Sequence, residues 1–336
     1  MNIGEIARRA GVSRSTVSYA LSGKRPVSAA TVRRINEVIA ELGFRPNASA
    51  RALAEGRTRT LGLVIPPASA RLTNAQLGFV ASVVEAAAAH DLDVLLSPSG
   101  GDHDRSFERI ITGRRVDGVI LMEILLADAR VDRLRETGLP FVAIGHTEDP
   151  AACRWVDVDY ARLIGRCVRH LSDLGHREVV LINRSEELLA AGYGPALRSS
   201  TGFREAVELC GITGYDVCCA DEPAAGMSCF EQIRARWPRV TAVVTINEAA
   251  LPGVQRALHQ AGLRVPREFS VTGVIADQLA EEFHPPLTAA DVPAGEMARL
   301  AMELLLEQIV DPRAEPRHAL LEPAITLRSS TGARPA

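Results

Sequence analysis

No apolar run in this chain approaches the ~20 residues that a membrane-spanning helix requires, so nothing in it reads as a transmembrane segment. A secretory leader is missing as well. Glu5, Arg8 and Arg9 interrupt any apolar stretch at the start, and a cytoplasmic location is the expectation. Catalytic signatures are absent: there is no G-x-S-x-G, no H-E-x-x-H and no phosphate-cradling G-x-x-x-x-G-K. Gly192-Tyr-Gly194 lacks the third glycine of a dinucleotide loop, and Gly101-Asp-His-Asp104 reads as a polar loop before a helix. The cysteines Cys153, Cys167, Cys210, Cys218, Cys219 and Cys229 form no C-x-x-C pair and have no histidine at zinc-ligand spacing. Buried, reduced thiols are expected, with no metal, no cofactor and no enzymatic activity.

Charge is present but unevenly placed. Residues 1–59 hold eleven Arg and Lys against four Glu, a surplus of seven that leaves the rest of the chain at −10 within a net −3. A basic head on an acidic body suits a head that meets a polyanion. Within that head, Ile3, Ile6, Ala7 and Ala10 recur at helical spacing and make one apolar face. Gly11 permits a tight turn, Ser13 is a natural N-cap, and Val12, Val17, Ala20 and Leu21 supply the inner side of a second helix. Arg14, Ser15, Ser18 and Tyr19 remain outward, all able to hydrogen-bond. Two helices in this arrangement form a helix-turn-helix whose second helix faces the DNA major groove.

Ser22-Gly-Lys-Arg-Pro-Val27 follows as a polar loop, with Lys24 and Arg25 placed to reach phosphates. Ser28 caps a third helix, Ala29–Leu42, with Val32, Ile35, Ile39 and Leu42 on one face and Gly43 as its stop. Between Asn47 and Gly56 the residues allow roughly two helical turns. Isolated helices shorter than ~12 residues are marginal in water, so this segment folds only when something else holds it.

These runs resemble the LacI/GalR family of bacterial repressors. The resemblance is carried by Ala10-Gly-Val-Ser13, Thr16-Val-Ser18, Leu42-Gly-Phe-Arg-Pro-Asn47, Ala50-Arg-Ala-Leu53 and Leu61-Gly-Leu-Val-Ile-Pro66. It implies that Arg14, Ser15 and Tyr19 read bases, while Ser13, Thr16, Ser18, Ser22, Ser28 and Thr31 lie near the DNA backbone. It also implies a hinge of Asn47, Ala50, Arg51 and Leu53, with Leu53 wedged into the minor groove. Tyr19 stands where most relatives carry Arg, so an operator borrowed from the family does not transfer.

From Thr60 onward, short apolar runs alternate with helical stretches every 25–30 residues or so, the pattern of parallel sheets covered by helices. Strands are expected at 61–65, 94–96, 118–121, 141–144, 179–182, 242–245 and 269–274. Helices are expected at 77–90, 160–174 and 248–261. The resemblance continues through Trp155-Val-Asp-Val-Asp159, His170-Leu-Ser-Asp-Leu-Gly-His176, Gly262-Leu-Arg-Val-Pro266 and Pro285-Pro-Leu-Thr288. The implied fold is α/β: an all-α helix-turn-helix head, 1–46; a hinge, 47–59; and a two-subdomain periplasmic-binding-protein-like core, 60–330. The N-subdomain is expected at 60–156 and 289–321, the C-subdomain at 157–288 and 322–330, with crossovers near Val156, Thr288 and Leu321. The partners implied are double-stranded operator DNA, a second copy of the chain in a homodimer, and a small-molecule effector. After Leu327 no heptads extend the chain toward a tetramer.

Ligands of open α/β sheets bind beyond the carboxyl ends of the strands. Those ends supply Met122-Glu123, Gly145-His146, Asn183-Arg184 and Asn247-Glu248, and the stretch Leu72–Phe79 follows the first strand; the candidates taken are Asn74, Glu123, His146, Arg184, Arg198 and Asn247. Ser199 stands three residues before Gly202, where sugar- and purine-binding relatives carry a guanidinium, and Ile275 stands where they carry a carboxylate. Unpaired buried polar groups cost ~1–3 kcal/mol each, so a simple hexose is disfavoured as effector. A solute-binding protein of the transport type, or a repressor with no effector, are the alternatives.

Leu53→Ala should leave the melting temperature and dimerisation of the protein nearly unchanged and sharply reduce specific operator affinity and DNA bending. Ala50→Gly should act the same way, more mildly, because glycine lowers helix propensity by about 1 kcal/mol. Thermal unfolding and operator binding on the same Leu53→Ala protein decide the matter. A large fall in melting temperature with affinity retained would place Leu53 in the core.

Overall fold

The computed structural model describes residues 3–22, 25–43, 56–66, 72–99 and 104–335. The hinge residues Asn47, Ala50, Arg51 and Leu53, the loop residue Lys24, and the side chains of Ser22 and Asn74 lie outside what is described.

Three helices build the head: α1 (Ile3–Arg9), α2 (Arg14–Ser22) and α3 (Ala29–Leu42). Gly11 turns the chain at φ +61°, a left-handed conformation open to a residue without Cβ, and the Val12 amide bonds back to the Ala7 carbonyl at 2.9 Å. The Ser13 hydroxyl accepts the Thr16 amide at 3.0 Å, and the Ser28 hydroxyl caps α3 by accepting the Thr31 amide. Gly43 closes α3 in the left-handed region. Ile6, Ala7, Ala10, Val17, Ile35 and Val38 are buried together, with Val12, Ala20, Ile39 and Leu42 at the rim. The α3 face is therefore rotated from the expected stripe. Ile35 and Val38 point inward and Val32 is only half-buried, because i, i+3 neighbours share the side that α1 and α2 cover.

The body contains two parallel sheets. The first is ordered β11-β5-β4-β3-β1-β2, where β1 is Thr60–Ile65, β2 Asp93–Pro98, β3 Gly118–Leu121, β4 Phe141–Ile144, β5 Arg154–Val158 and β11 His318–Leu321. The second is ordered β12-β10-β9-β8-β6-β7, from β6 (Glu178–Ile182), β7 (Thr213–Val217), β8 (Ala242–Thr245), β9 (Ser270–Val274), β10 (Thr288–Ala290) and β12 (Ile325–Thr326). Only β12 runs antiparallel to its neighbour. Helices α4 (Asn74–Ala88) and α13 (Ala294–Val310) pack together against the first sheet, with α5 (Asp104–Thr112) and α6 (Ala129–Thr137) over its other face. On the second sheet, α7 (Tyr160–Asp173) and α9 (Gly194–Cys210) cover one face; α10 (Pro223–Arg236), α11 (Leu251–Gln260) and α12 (Asp277–Glu282) cover the other. A short α8 (Glu186–Ala190) precedes α9. Strands β3, β4 and β8 are buried on both faces, which is why they read as near-continuous apolar runs, while β9, equally buried, hides Ser270 and Thr272 behind hydrogen bonds.

The chain passes between sheets after Val158, after Ala290 and after Leu321. The first two passages come two residues later than the sequence suggests, because β5 keeps pairing to Val158 and β10 to Ala290. One apolar core runs from α4 and α13 through to α7 and α9, joining the inner faces of both sheets. The cysteines are free, and burial pushes the Cys153 and Cys167 thiols up to about 12. Cys218 departs from expectation: it lies exposed just beyond the edge strand β7, where no helix covers it.

Helices α10 and α11 touch through their backbones. A β-carbon on Gly226 would overlap the Ala250 carbonyl, and one on Gly253 the Pro223 carbonyl. Gly253→Ala should therefore force the helices apart at a cost of about 1–3 kcal/mol, seen as a fall of about 2–4 °C per kcal/mol in thermal melting. An unchanged melting curve would show that the contact yields freely.

Candidate functional site

The carboxyl ends of both sheets face a common cleft, and each contributes a side chain through the residue that follows its strand. From the first sheet come Met122 and Glu123 after β3, Gly145 after β4 and Asp157 within β5. From the second come Arg184 after β6 and Ile246, Glu248 and Ala249 after β8. Gln76 and Phe79 of α4, Tyr160 at the start of α7, and Tyr193 before α9 complete the walls. The space left is about 90 Å³, far below the 300–1,000 Å³ or so of an occupied ligand pocket. This is a closed cleft.

Each charged group in it is held in a particular way. Glu123 has a left-handed backbone, φ +56°, unusual for a non-glycine residue, and accepts the Gln76 amide at 3.1 Å. Gln76 is itself fixed, because its carbonyl accepts the Thr73 amide in the capping box of α4. Arg184 donates from Nε and Nη2 to the two oxygens of Asp221, at 2.7 and 3.1 Å, and lies over the Tyr193 ring at 5.3 Å. Glu248 accepts the Ala276 amide at 2.8 Å. Burial pushes its carboxyl above the ordinary glutamate value of 4.5, and the Ala276 amide and Arg184 only partly oppose that. The phenols of Tyr160 and Tyr193 are likewise pushed up by burial and stay neutral.

Three links bridge the sheets at the cleft's rim. The Leu126 amide donates to the Gly192 carbonyl at 2.8 Å, and the Gly194 amide to the Ile124 carbonyl at 3.3 Å. Arg198 of α9 reaches across to the His146 carbonyl at 2.8 Å, with its Nη1 3.5 Å from Asp157 Oδ2. The same carboxylate oxygen is 2.8 Å from His146 Nδ1.

The nominated cleft residues thus separate. Glu123 and Arg184 line the cleft. His146 and Arg198 stand behind it, joined at Asp157. Asn247 is turned away altogether: its amide nitrogen bonds the Asn183 and Cys219 carbonyls, and its oxygen caps Ala250. Its neighbour Glu248 faces the cleft instead, since adjacent residues leaving a strand point opposite ways. Gln76 and Phe79 fall in the stretch Leu72–Phe79 that the sequence singled out, whereas Tyr160 and Tyr193 were not nominated. The acid inside the buried run Trp155-Val-Asp-Val158 was the one local signal for Asp157.

On the head, Arg14 and Ser15 are exposed and Tyr19 is half-buried on α2. The Arg25 guanidinium stands over the Tyr19 ring at 5.2 Å, and that of Arg14 lies against Gly4. Ser13 and Thr16 share a hydroxyl contact of 2.8 Å at the start of α2, as Ser28 and Thr31 do at the start of α3. Ser18 is half-buried.

Comparison with known proteins agrees at both ends of the chain. The model of bacterial regulatory proteins of the lacI family matches residues 2–47, and that of a periplasmic binding protein-like domain matches residues 168–331. The HTH-type transcriptional regulator CelR of Thermobifida fusca is 30% identical over 97% of this chain and 96% of its own length. The chain belongs to the LacI family. As a member it is a sequence-specific, DNA-binding transcriptional regulator with an effector-binding type of body. A solved complex of the regulator CelR with cellobiose superposes with a TM-score of 0.72 at 27% identity, covering 98% of this chain and 99% of that one. A lac repressor dimer bound to operator and the anti-inducer ONPF gives a TM-score of 0.86 at 21% identity over 99% of each chain, a likeness of fold.

The two cleft positions that the family resemblance singled out have a structural outcome. Ser199 is buried inside α9 with its hydroxyl unpartnered, and Ile275 is buried in the core of the second sheet. Asp277 is engaged by Arg328 at 2.7 Å and does not line the cleft. The cleft's carboxylates come from Glu123, Asp157 and Glu248 instead.

Because folding raises the Glu248 pKa, the folded state keeps a proton that the unfolded state loses above about pH 4.3. Stability from that proton is therefore present at low pH and declines as pH rises through the folded value. Glu248→Gln, which keeps an acceptor for the Ala276 amide, should match wild type at pH 4 and become progressively more stable above it. Denaturation curves of both proteins from pH 4 to 8 test this, and parallel curves across the range would refute it.

Proposed function

We propose that this LacI-family regulator is a cytoplasmic, homodimeric repressor and not an enzyme, and that a small molecule in the inter-sheet cleft modulates its hold on an operator. The division of labour follows the ranges set out above: head 1–46, hinge 47–59, core 60–330. One observation carries the DNA reading. The head core takes up the apolar side of α2 while Arg14, Ser15 and Tyr19 stay on its accessible side, in a segment with a surplus of seven positive charges. Arg14, Ser15 and Tyr19 are the base readers in this reading. Ser13, Thr16, Ser18, Ser22, Lys24, Arg25, Ser28 and Thr31 hold phosphates, and helix N-termini with free amides favour such anions. A head of this kind has no use in a solute carrier, which disfavours the transport-type alternative.

Leu77 and Val84, a heptad apart on α4, and Leu96 on the edge strand β2 support a dimer. Their exposures of 50%, 46% and 48% form apolar surface beside an unpaired sheet edge, which a second copy would cover. For the cleft, the closed state is one of two. A ligand moves the balance only by its differential affinity for them, and the bonds at Gly192, Gly194 and Arg198 are those that opening would break.

Binding-site selection on the full-length protein, followed by a gel shift on DNA upstream of its own gene, tests the reading. Changing Arg14, Ser15 or Tyr19 should alter the selected bases at ~1–3 kcal/mol per lost contact. Changing Lys24 should weaken all sites alike and flatten the salt dependence. Arg25→Ala should do the same and, because Arg25 rests on the Tyr19 ring, also broaden the base preference at Tyr19's position. If Tyr19 variants select the same bases as wild type, Tyr19 is not a reader.

A further inference from the structure

We propose that the effector carries a protonated amine on a small polyol or sugar frame, held between Glu123 and Glu248. The inference rests on the cleft being the effector site, as argued above; the carboxylates serve only to choose the class of ligand. The titratable groups that line the cleft are Glu123, Asp157, Glu248, Arg184, Tyr160 and Tyr193. Asp157 already has His146 and Arg198. Among the described residues Arg184 is the one lining cation, and Asp221 takes it in a two-point ion pair. Among the described residues, Glu123 and Glu248 accept hydrogen bonds only from amides, those of Gln76 and of the Ala276 backbone, and share the field of Arg184 without a direct ion pair to it.

That arrangement discriminates by charge. An anionic ligand such as a phosphorylated sugar would meet three carboxylates and an arginine already neutralised, so a site of this kind rejects it. A neutral hexose would bond the carboxylates but leave their excess over the cleft's one described cation uncompensated, which is costly in a half-buried site. An ammonium group supplies the missing charge, and its charge-assisted hydrogen bonds are about twice as strong as neutral ones. Helix N-termini around the cleft carry only about half a positive charge each, and that of α4 is already engaged by Thr73 and Gln76. The rings of Phe79, Tyr160 and Tyr193 offer faces for the C–H surface of a sugar and, near the amine, a cation–π contact. Burial pushes the Glu248 carboxyl above its ordinary range despite Arg184, which fits a site short of positive charge.

The experiment is a thermal-shift and operator-release series on the full-length protein with matched probes. These are glucosamine, galactosamine and mannosamine, then glucose, galactose and mannose, the three N-acetylated amines, and glucose 6-phosphate. At least one free amine should raise the melting temperature saturably and change operator affinity, at one-tenth or less of the concentration its parent hexose or N-acetyl form requires. Glu248→Gln and Glu123→Gln should each reduce that preference for the amine over its parent hexose at least tenfold. Saturable shifts from neutral or phosphorylated sugars alone, abolished by Arg184→Met, would overturn the amine and leave the cleft as the effector site. Shifts that persist in all three variants, or none from any probe, would overturn the amine; in the former case the ligand binds outside the cleft.

Discussion

The rest of the body depends on one buried carboxylate. Asp157 lies inside β5 with its side chain 3% exposed, and removing an ion from water costs several kcal/mol unless its partners are well placed. The strand offers one donor, the Val158 amide at 2.7 Å from Oδ1. The other oxygen depends on His146 from the end of β4 and on Arg198 from the opposite subdomain. Burial lowers the Arg198 pKa, with Asp157 opposing the shift, so the arginine's charge is tolerable at the closed rim because the carboxylate faces it. The two halves of the body meet at this point through that pair of opposite charges.

That pairing also makes the closed state reversible. On opening, Arg198 returns to water and loses little, while Asp157 keeps His146. The histidine cannot easily move, because it stacks on Trp155 at 4.4 Å, and Trp155 stacks on His318 of β11 at 4.6 Å. Trp155 is pinned in turn by its indole N–H, which donates to the Pro150 carbonyl. The three rings tie the ends of β4, β5 and β11 together, and two of the passages between subdomains leave from β5 and β11. A rigid anchor on one side and a single arginine arm on the other are the parts that two discrete arrangements, rather than a continuum, would require.

Much of this order was legible in the sequence, for definite reasons. Strands 118–121, 141–144 and 242–245 agree at both ends with the structure because a doubly buried parallel strand has to be an apolar run. The turn at Gly11 and the caps at Ser13, Ser28 and Gly43 were legible because each answers a local backbone need. Strand β7 was not, since Thr213-Gly-Tyr-Asp-Val217 lies at a half-solvated edge and carries no clear period. Strand β5 was masked by Arg154 and Asp157, whose partners at Ala314, Glu315 and Arg198 lie far along the chain. The cleft was legible only as a set of strand ends. Which of two adjacent residues faces inward, Asn247 or Glu248, depends on where the strand stops pairing, and local sequence does not encode that.

The same separation between local and distant partners bears on how the body could address DNA. The buried head cluster from Ile6 to Val38 shares no member with the three clusters of the body. Among the described residues, packing therefore offers no continuous route from cleft to α2. A change of angle between the two sheets would reach the head through the chain that joins them and through the second copy of the body. A segment that is helical only when held would convert a small displacement into a gain or loss of order, because helix nucleation is cooperative. A rigid, self-capped linker could pass on a rotation but could not switch itself off. The stretch between Asn47 and Glu55, rich in helix-forming alanines yet too short to hold a helix alone, has the sequence such a mechanism would call for.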